Sequence, residues 1–468
     1  MKENRSEVSR RNFLKTGSVL AAAGFVPYFA PVRVRSAEEL PPSDRLRLGF
    51  IGVGNMGLLD AIEFTSLLDV VAVCDVDSDY GLARTLASKS VGVHRGDELI
   101  PPDTYKYYQK ILDRDDIDIV GIATPDHWHV KIAIEALMAG KHVFCQKPLT
   151  LTLEENQLIR NACDKYNKQV FQVGTQQRSM KGLFATAALM VRKGMLGKIQ
   201  RVVCDVTGNS HVSGPIPEAP VPDSLDWDLW TGQAPVFPYR ATKEMKNGRP
   251  LMARGNFFFR FFYEYAGGSI TDWGAHHVDS ALWALDRQES DSGPIAIDGS
   301  KSVLPVPFKD GYPLVSNEYN ASREFNVVVK YADGLELVLV NHSDATNGIL
   351  FEGDQGRIHV NRGRIKGKPY EDKLHETMTE SDFKLLYKGK PCEGHKQNFI
   401  RTIREGGLPV SDVYSNLPSM EICHLSTISI RLQRPITWDP VGKRITGDDQ
   451  AASFQSRPRR DGYDIPQV

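Results

Sequence analysis

Apolar and polar positions in the first third of the chain alternate between two textures. Leu46 to Val53 is a nearly unbroken apolar run that meets glycines and passes into "NMGLLDAIEF", where apolar residues recur at helical spacing. The same order then repeats. "VVAVCDVD" and "DIDIVGIATP" read as strands, "HVKIAIEALMAG" as a helix with a terminal glycine, and "KHVFCQKP" as a further strand. "TLEENQLIRNACDKYNK" reads as a helix opened by Thr152 and Glu155 at capping-box spacing, and "QVFQVGTQ" as one more strand. This alternation predicts an α/β Rossmann domain over residues 45–177, a doubly wound parallel sheet with ligands at the carboxyl ends of its strands. Thr124-Pro125, Gln146-Lys147 and Gly174-Thr175-Gln176 all fall at such ends.

Beyond residue 178 the texture changes. "KIQRVVCDVTG", "REFNVVVKYADGLELVLVN" and "GILFEGDQGRIHVNRG" read as long strands, with hairpin signals at Asp333-Gly334 and Asp354-Gln355-Gly356. They predict a C-terminal α+β domain over 178–435, built on a large open, mostly antiparallel sheet, with residues 436–468 packing back on the body. The Pro-rich stretch holding Trp227, Trp230 and Tyr239 is too aromatic for a free linker. It is expected to wrap the substrate side, and its rings, with the run "FFFRFFYEY", either pack together or stack on a sugar.

The formal charge of -1 changes this picture only at the N-terminus. Residues 1–37 carry seven basic and two acidic side chains, a net of +5, which leaves -6 on the rest. So acidic a body has no electrostatic reason to bind nucleic acid or an anionic membrane. The six cysteines, Cys74, Cys145, Cys163, Cys204, Cys392 and Cys423, show no C-x-x-C spacing and read as small buried hydrophobes.

Residues 1–37 join a basic stretch to an apolar run, the pattern of a removable export segment. Ser9-Arg10-Arg11-Asn12-Phe13-Leu14-Lys15 resembles the twin-arginine export signal position for position. Pro27 and Pro31 interrupt a run already short of the roughly 20 apolar residues of a span. A periplasmic or otherwise exported protein, delivered by the twin-arginine machinery and without a stable membrane span, is expected.

Gly52-Val53-Gly54-Asn55-Met56-Gly57 stands between the first strand and its helix, the context in which G-x-G-x-x-G binds a dinucleotide. The glycines allow the turn, the approach of a pyrophosphate and the packing of helix on strand. Asp75 ends the next strand, eighteen residues after Gly57. A carboxylate there accepts from ribose hydroxyls and repels a 2′-phosphate, which favours NAD over NADP.

Taken together, Gly52, Gly54 and Gly57, Thr124-Pro125-Asp126-His127-Trp128-His129, Gln146-Lys147-Pro148, and Gly267-Gly268 followed by Asp272-Trp273-Gly274-Ala275-His276 resemble the glucose-fructose oxidoreductase and inositol dehydrogenase (Gfo/Idh/MocA) family. The resemblance implies that Lys147 stands beside nicotinamide and substrate, in a loop that Pro148 shapes, commonly through a cis peptide. It implies a cofactor site of Gly52, Gly54, Asn55, Met56, Gly57, Asp75, Thr124, Pro125, His129, Gln146 and Lys147. It also implies a homo-oligomer formed through the outer face of the second sheet. Two positions depart from the family pattern. Gln146 replaces Glu and removes a negative charge beside Lys147, and Asp126 replaces Asn and adds one near the cofactor.

Oxidising a secondary alcohol needs a base for the hydroxyl proton, a cation at the developing oxyanion and a carbon held against the nicotinamide. His276 is assigned as base and proton relay, Lys147 as stabiliser of the oxygen, and Asp272, four residues before His276 and so on the same face of one helix, as substrate hydrogen-bonding partner and orienter. His127, His129, His277 and Asp279 offer metal-type ligands but match no zinc spacing, so no metal is expected. The expected activity is hydride transfer between NAD and a sugar, inositol or related polyol. The alternatives are an NAD-dependent glycosidase working by transient C3 oxidation and elimination, and a catalytically inactive, cofactor-containing sugar-binding protein. Export adds a constraint: with no nicotinamide pool outside the cytoplasm, NAD is expected to stay tightly bound and to be regenerated in place.

Overall fold

In a computed structural model the chain is described at residues 45–96, 98–206, 213–246, 249–288, 293–322, 324–341 and 347–468. The export segment lies outside them. Apolar runs without alternation become strands buried on both faces, as a parallel sheet requires. Strands β1 (Arg47–Ile51), β2 (Asp69–Cys74), β3 (Asp103–Tyr105), β4 (Ile119–Ile122), β5 (His142–Cys145) and β6 (Phe171–Val173) form one six-stranded sheet. Its order is β3-β2-β1-β4-β5-β6, every pair parallel. The winding reverses between β1 and β4, and the crevice at that switch point is where such sheets take ligands.

Helices α1 (Asn55–Thr65), α2 (His129–Met138) and α3 (Leu153–Lys165) follow β1, β4 and β5. The box expected at α3 forms by half. Thr152 accepts from the Glu155 amide at 3.2 Å, but the Glu155 carboxylate accepts from Leu151, one residue early, at 2.7 Å.

The second sheet has nine strands: β7 (Ile199–Asp205), β8 (Ala296–Asp298), β9 (Asn326–Lys330), β10 (Glu336–Val340), β11 (Gly348–Gly353), β12 (Gly356–Val360), β13 (Ile365–Lys366), β14 (Ile436–Asp439) and β15 (Arg444–Thr446). They lie in the order β13-β12-β11-β7-β10-β9-β8-β14-β15, antiparallel except where β7 runs parallel to β10. Both expected hairpins form, β9–β10 across Asp333-Gly334 and β11–β12 across Asp354-Gln355. The sheet continues past residue 435 through β14 and β15.

Short α4 (Ser269–Asp272) leads through Trp273 into α5 (Gly274–Leu285), which packs against α7 (Val413–Leu432); α6 (His395–Glu405) lies beside the first sheet. One hydrophobic core runs from Ile51 and Ile122 through Val278 and Leu282 to Ile428 and Ile445, so the two halves share buried surface. The last residues strap them together: Arg459 pairs with Glu154 at 2.6 Å, Arg457 donates to the Glu264 carbonyl at 2.6 Å, and the Asp464 carbonyl accepts from Lys131 at 2.7 Å.

The aromatic stretch builds a small core of its own. Trp227 and Trp230 stack at 4.7 Å, with Tyr239 and Tyr265 edge-on. These rings are engaged by one another. All six cysteines are free and five are buried. Among the described residues, no helix is long and apolar enough to cross a membrane.

Candidate active site

The glycine turn leaves room for a ligand because its neighbours crowd elsewhere. Gly52 has φ +81°, and a Cβ there would come 2.7 Å from the Thr124 amide. A Cβ on Gly57 would stand 1.8 Å from the Gly52 carbonyl, so α1 rests directly on the end of β1. At Gly54 a Cβ would meet nothing nearer than a Tyr80 ring carbon at 3.9 Å. An α-helix leaves its first amides without intrahelical partners, and the first turn of α1, with Asn55, Met56 and Gly57, holds no acidic side chain to occupy them. The hydroxyl of Thr124 is buried and without a partner. Open glycine, free helix end and orphan hydroxyl fit a dinucleotide pyrophosphate.

Asp75 closes the far edge of this turn, accepting from the Val53 amide at 2.9 Å and the Asp77 amide at 3.0 Å. Burial pushes its carboxyl up to about 6, against the pull of those amides. Two neighbours had no motif to announce them. The Tyr80 hydroxyl donates to the Asn55 side chain, and Arg84 lies 4.5 Å over the Tyr80 ring while donating to the Gly54 carbonyl at 3.3 Å.

The loops after β4 and β5 are locked by one imidazole. His129 places Nε2 2.9 Å from the Thr124 carbonyl and Nδ1 2.7 Å from the Pro148 carbonyl, across the cis Lys147-Pro148 bond. Burial lowers its pKa to about 4 although both carbonyls oppose that. Beneath, the Gln146 amide donates to Asp60 at 2.7 Å, Asp60 accepts from Lys396 at 2.8 Å, and Lys396 also pairs with Glu63. The Gln146 carbonyl in turn accepts from the Lys147 amide at 3.3 Å.

Lys147 then reaches the second half of the molecule. Its Nζ donates to the Asp272 carbonyl at 3.2 Å and to one carboxylate oxygen, while Arg260 holds the other oxygen at 2.8 Å. Burial alone would raise the Asp272 carboxyl, but Arg260 and then Lys147 outweigh it and hold it below the usual range. Asp272 and His276 do not share one unbroken helix. Asp272 ends α4, Trp273 intervenes, and the His276 amide donates to the Trp273 carbonyl at 3.1 Å in the first turn of α5. Burial, then the charges of Arg362 and Lys147, keep the His276 imidazole well below its ordinary pKa, and its buried Nδ1 has no partner.

Asp126 faces the same cleft. Burial and then the charge of Asp272 push its carboxyl up to about 8, against Arg260 and Lys147, and its Oδ2 is buried without a partner. Arg362 lies 4.6 Å over the Trp273 ring. Arg260 and Arg362 were not legible as site residues: one sits inside a run whose rings draw attention, the other in the turn between β12 and β13. Three of the four side chains with metal-type ligands are engaged separately. Asp279 pairs with Arg178 at 2.7 Å, His127 Nε2 lies 3.1 Å from the Trp230 carbonyl, and His129 braces the loops.

A family model described as "Oxidoreductase family, NAD-binding Rossmann fold" matches residues 46–175, and one described as "Oxidoreductase family, C-terminal alpha/beta domain" matches residues 186–465. A twin-arginine translocation signal matches residues 7–27, so the protein is exported by that pathway to the periplasm. A "Glycosyl hydrolase family 109 protein" of Shewanella pealeana is 32% identical over 214 residues, 41% of this chain, and the chain covers only 44% of that relative's length. Among solved structures, the WlbA dehydrogenase from Bordetella pertussis in complex with NADH and UDP-GlcNAcA superposes with a TM-score of 0.56 at 16% identity, covering 84% of this chain and 98% of that one. The aldose-aldose oxidoreductase from Caulobacter crescentus gives 0.53 at 17% identity, with 84% and 99% covered. At such identity these structures share the fold.

Proposed function

The chain belongs to the Gfo/Idh/MocA family of nicotinamide-binding oxidoreductases, and from that premise we propose that it transfers hydride between a sugar or polyol carbon and a tightly held NAD. The observation that carries this reading is the shared cleft, in which Lys147 from the first half lies against Asp272 and within electrostatic reach of His276 from the second. The residues that would hold the cofactor are those of the glycine turn, with Asp75, Thr124, Pro125, Gln146 and Lys147; His129 keeps two of their loops in register. Asp75 supports NAD over NADP, since a 2′-phosphate would meet its carboxylate. Arg84 is already committed to Tyr80 and Gly54.

Bound NAD supplies the hydride acceptor. His276, neutral by burial, takes the hydroxyl proton. Lys147 faces the oxygen as negative charge develops, where a fixed cation in a partly dry cleft stabilises most. Asp272, ionised between two cations, sets the lysine's position and offers an acceptor to a neighbouring hydroxyl.

The glycosidase reading is favoured by a separate observation, the curated relative named for glycosyl hydrolase family 109. Export supports either version in which the cofactor returns to its starting state each cycle. The test begins with protein purified without added cofactor, whose absorbance and mass after denaturation should reveal NAD. An empty site with only millimolar affinity for NAD would defeat the proposal of tight retention. Incubating the loaded protein with sugars and aryl glycosides then separates the readings. Changed nicotinamide absorbance marks a dehydrogenase, released aglycone a glycosidase, and neither marks a binding protein.

A further inference from the structure

The His276 imidazole needs a partner that the carboxylate four residues before it does not supply. One Asp272 oxygen is held by Lys147 and the other by Arg260, and no hydrogen bond joins either to the ring. Of the two ring nitrogens Nδ1 is the buried one, which leaves Nε2 for the substrate hydroxyl. A neutral imidazole carries a single proton, so Nε2 can take another only if that proton sits on Nδ1. A buried N–H in turn requires an acceptor. The charged and titratable groups that act on the ring do not provide one. Lys147 and Arg362 only donate. His395, at the head of α6, has Nδ1 2.9 Å from the Ser179 hydroxyl and Nε2 2.8 Å from the Val173 carbonyl. His277, next along α5, points roughly 100° away around the helix.

Gln177 is placed to do so. It belongs to the short turn Gln176–Ser179 that follows β6 and packs against α5. Ser280, four residues after His276 and so on the same face of α5, donates to the Gln177 Oε1 at 3.1 Å. Helical side chains lean toward the N-terminus, so the Ser280 hydroxyl and the amide bonded to it lie on the His276 side of that turn. Gln177 is 1% exposed, and its Nε2 has no partner. Two buried orphan nitrogens, this one and the His276 Nδ1, thus belong to one turn of α5 and the segment against it. Two N–H donors cannot satisfy each other, but a half-turn of the amide removes the conflict. The Ser280 hydroxyl, able to donate or accept, keeps its bond, and the amide oxygen takes the place of the orphan nitrogen. One residue on, Arg178 closes both arms on Asp279, Nε at 2.7 Å, and donates to the Val410 carbonyl at 2.9 Å, which fixes the segment against α5.

We infer that Gln177 is the positioning residue of His276: its amide oxygen, directly or through one buried water, accepts from Nδ1 and so leaves Nε2 bare as the base. The inference rests on His276 being the proton acceptor of the proposed reaction. The hydroxyl proton moves to Nε2, and the proton on Nδ1 stays where the amide holds it. A neutral acceptor sets the tautomer without adding the charge that a carboxylate would bring beside the imidazolium.

The test needs no substrate. The full chain is prepared with isotope-labelled histidine, and the two ring nitrogens of His276, assigned by difference from His276→Gln, are read by NMR at about pH 8, where a histidine is neutral. The wild type should show a protonated Nδ1 and a bare Nε2. Gln177→Leu should move the proton to Nε2 or mix the two tautomers, and should lower kcat by about 10-fold or more with KM little changed. Gln177→Glu keeps the shape and an acceptor, so Nδ1 should stay protonated, and the new carboxylate should raise by about 1 or more the pH at which His276 gains its second proton. Thermal midpoints show which variants are folded. A proton on Nε2 in the wild type, an unchanged tautomer in folded Gln177→Leu, or an unmoved titration in Gln177→Glu overturns the inference and leaves the oxidoreductase reading standing. A His276→Gln variant that turns over sugars as the wild type does removes His276 as base, and the inference with it.

Discussion

Lys147 and Asp272, which come from different halves of the chain, meet through two contacts of a single ammonium: the Asp272 carbonyl at 3.2 Å and the Asp272 carboxylate. Arg260 holds the second carboxylate oxygen. The lysine's position is therefore set by both halves at once, and the cation of the cleft exists in its working place only when they are docked.

Replacing Lys147 by Met keeps the apolar stem and removes the charge. Arg260 still pairs with Asp272, so the variant should fold. Turnover should fall by about 100-fold or more, the usual cost of removing a fixed donor from a developing oxyanion. The check is turnover per bound NAD; a loss under about 5-fold would remove Lys147 from the chemistry.

His276 gives a prediction in pH. Its folded pKa lies well below the unfolded value of about 6.5, with burial the largest cause and Arg362 the next. A depressed histidine adds stability above its unfolded pKa and loses it as pH falls toward the folded one. The wild type should thus lose thermal stability on acidification below about 6.5, and His276→Gln should lose less. The same variant should lower kcat by roughly 100-fold or more through loss of the proton acceptor. Equal acid sensitivity in both proteins would show that the imidazole is not buried in its neutral form.

How much of this was readable depended on distance along the chain. The glycine turn, Asp75 and the loops after β4 and β5 announce themselves because strand, turn and helix are adjacent, and each residue type answers a local geometric need. The lysine and its proline stand at a strand end for the same reason. Arg260 was not readable: its partner Asp272 is twelve residues away across an irregular turn, and no periodicity records that pairing. Lys396 and Asp60 are 336 residues apart and meet only because α6 folds onto α1. The break at Trp273 was hidden as well, since helical spacing alone cannot show where one helix stops and another begins.

Asp126 stands where the resembled family pattern has Asn, and its raised carboxyl makes the position testable. Its folded pKa of about 8, raised by burial and then by Asp272, lies above the unfolded value. A raised acid contributes most below its unfolded pKa of about 4 and progressively less as pH rises through the folded one. Asp126→Asn should therefore come nearest the wild type toward pH 4 and exceed it at pH 9 by about 1–2 kcal/mol, a rise of a few degrees in Tm. A variant no more stable than the wild type at high pH would mean that the carboxylate is well solvated.

Gln146, the other departure, is explained by what lies under it. Its amide donates to buried Asp60, whose other oxygen takes Lys396, a cation shared with Glu63. A glutamate at 146 would set a carboxylate against that of Asp60 and lose the donor to it. Gln146→Glu should destabilise the protein by about 1–3 kcal/mol. Asp60→Asn in the same chain should recover much of that loss, because the new amide can donate to the new carboxylate while Lys396 keeps an acid partner. Thermal or denaturant unfolding of both single variants and the double variant closes the cycle. Strict additivity would show that the amide at 146 is chosen for some reason other than the acid beneath it.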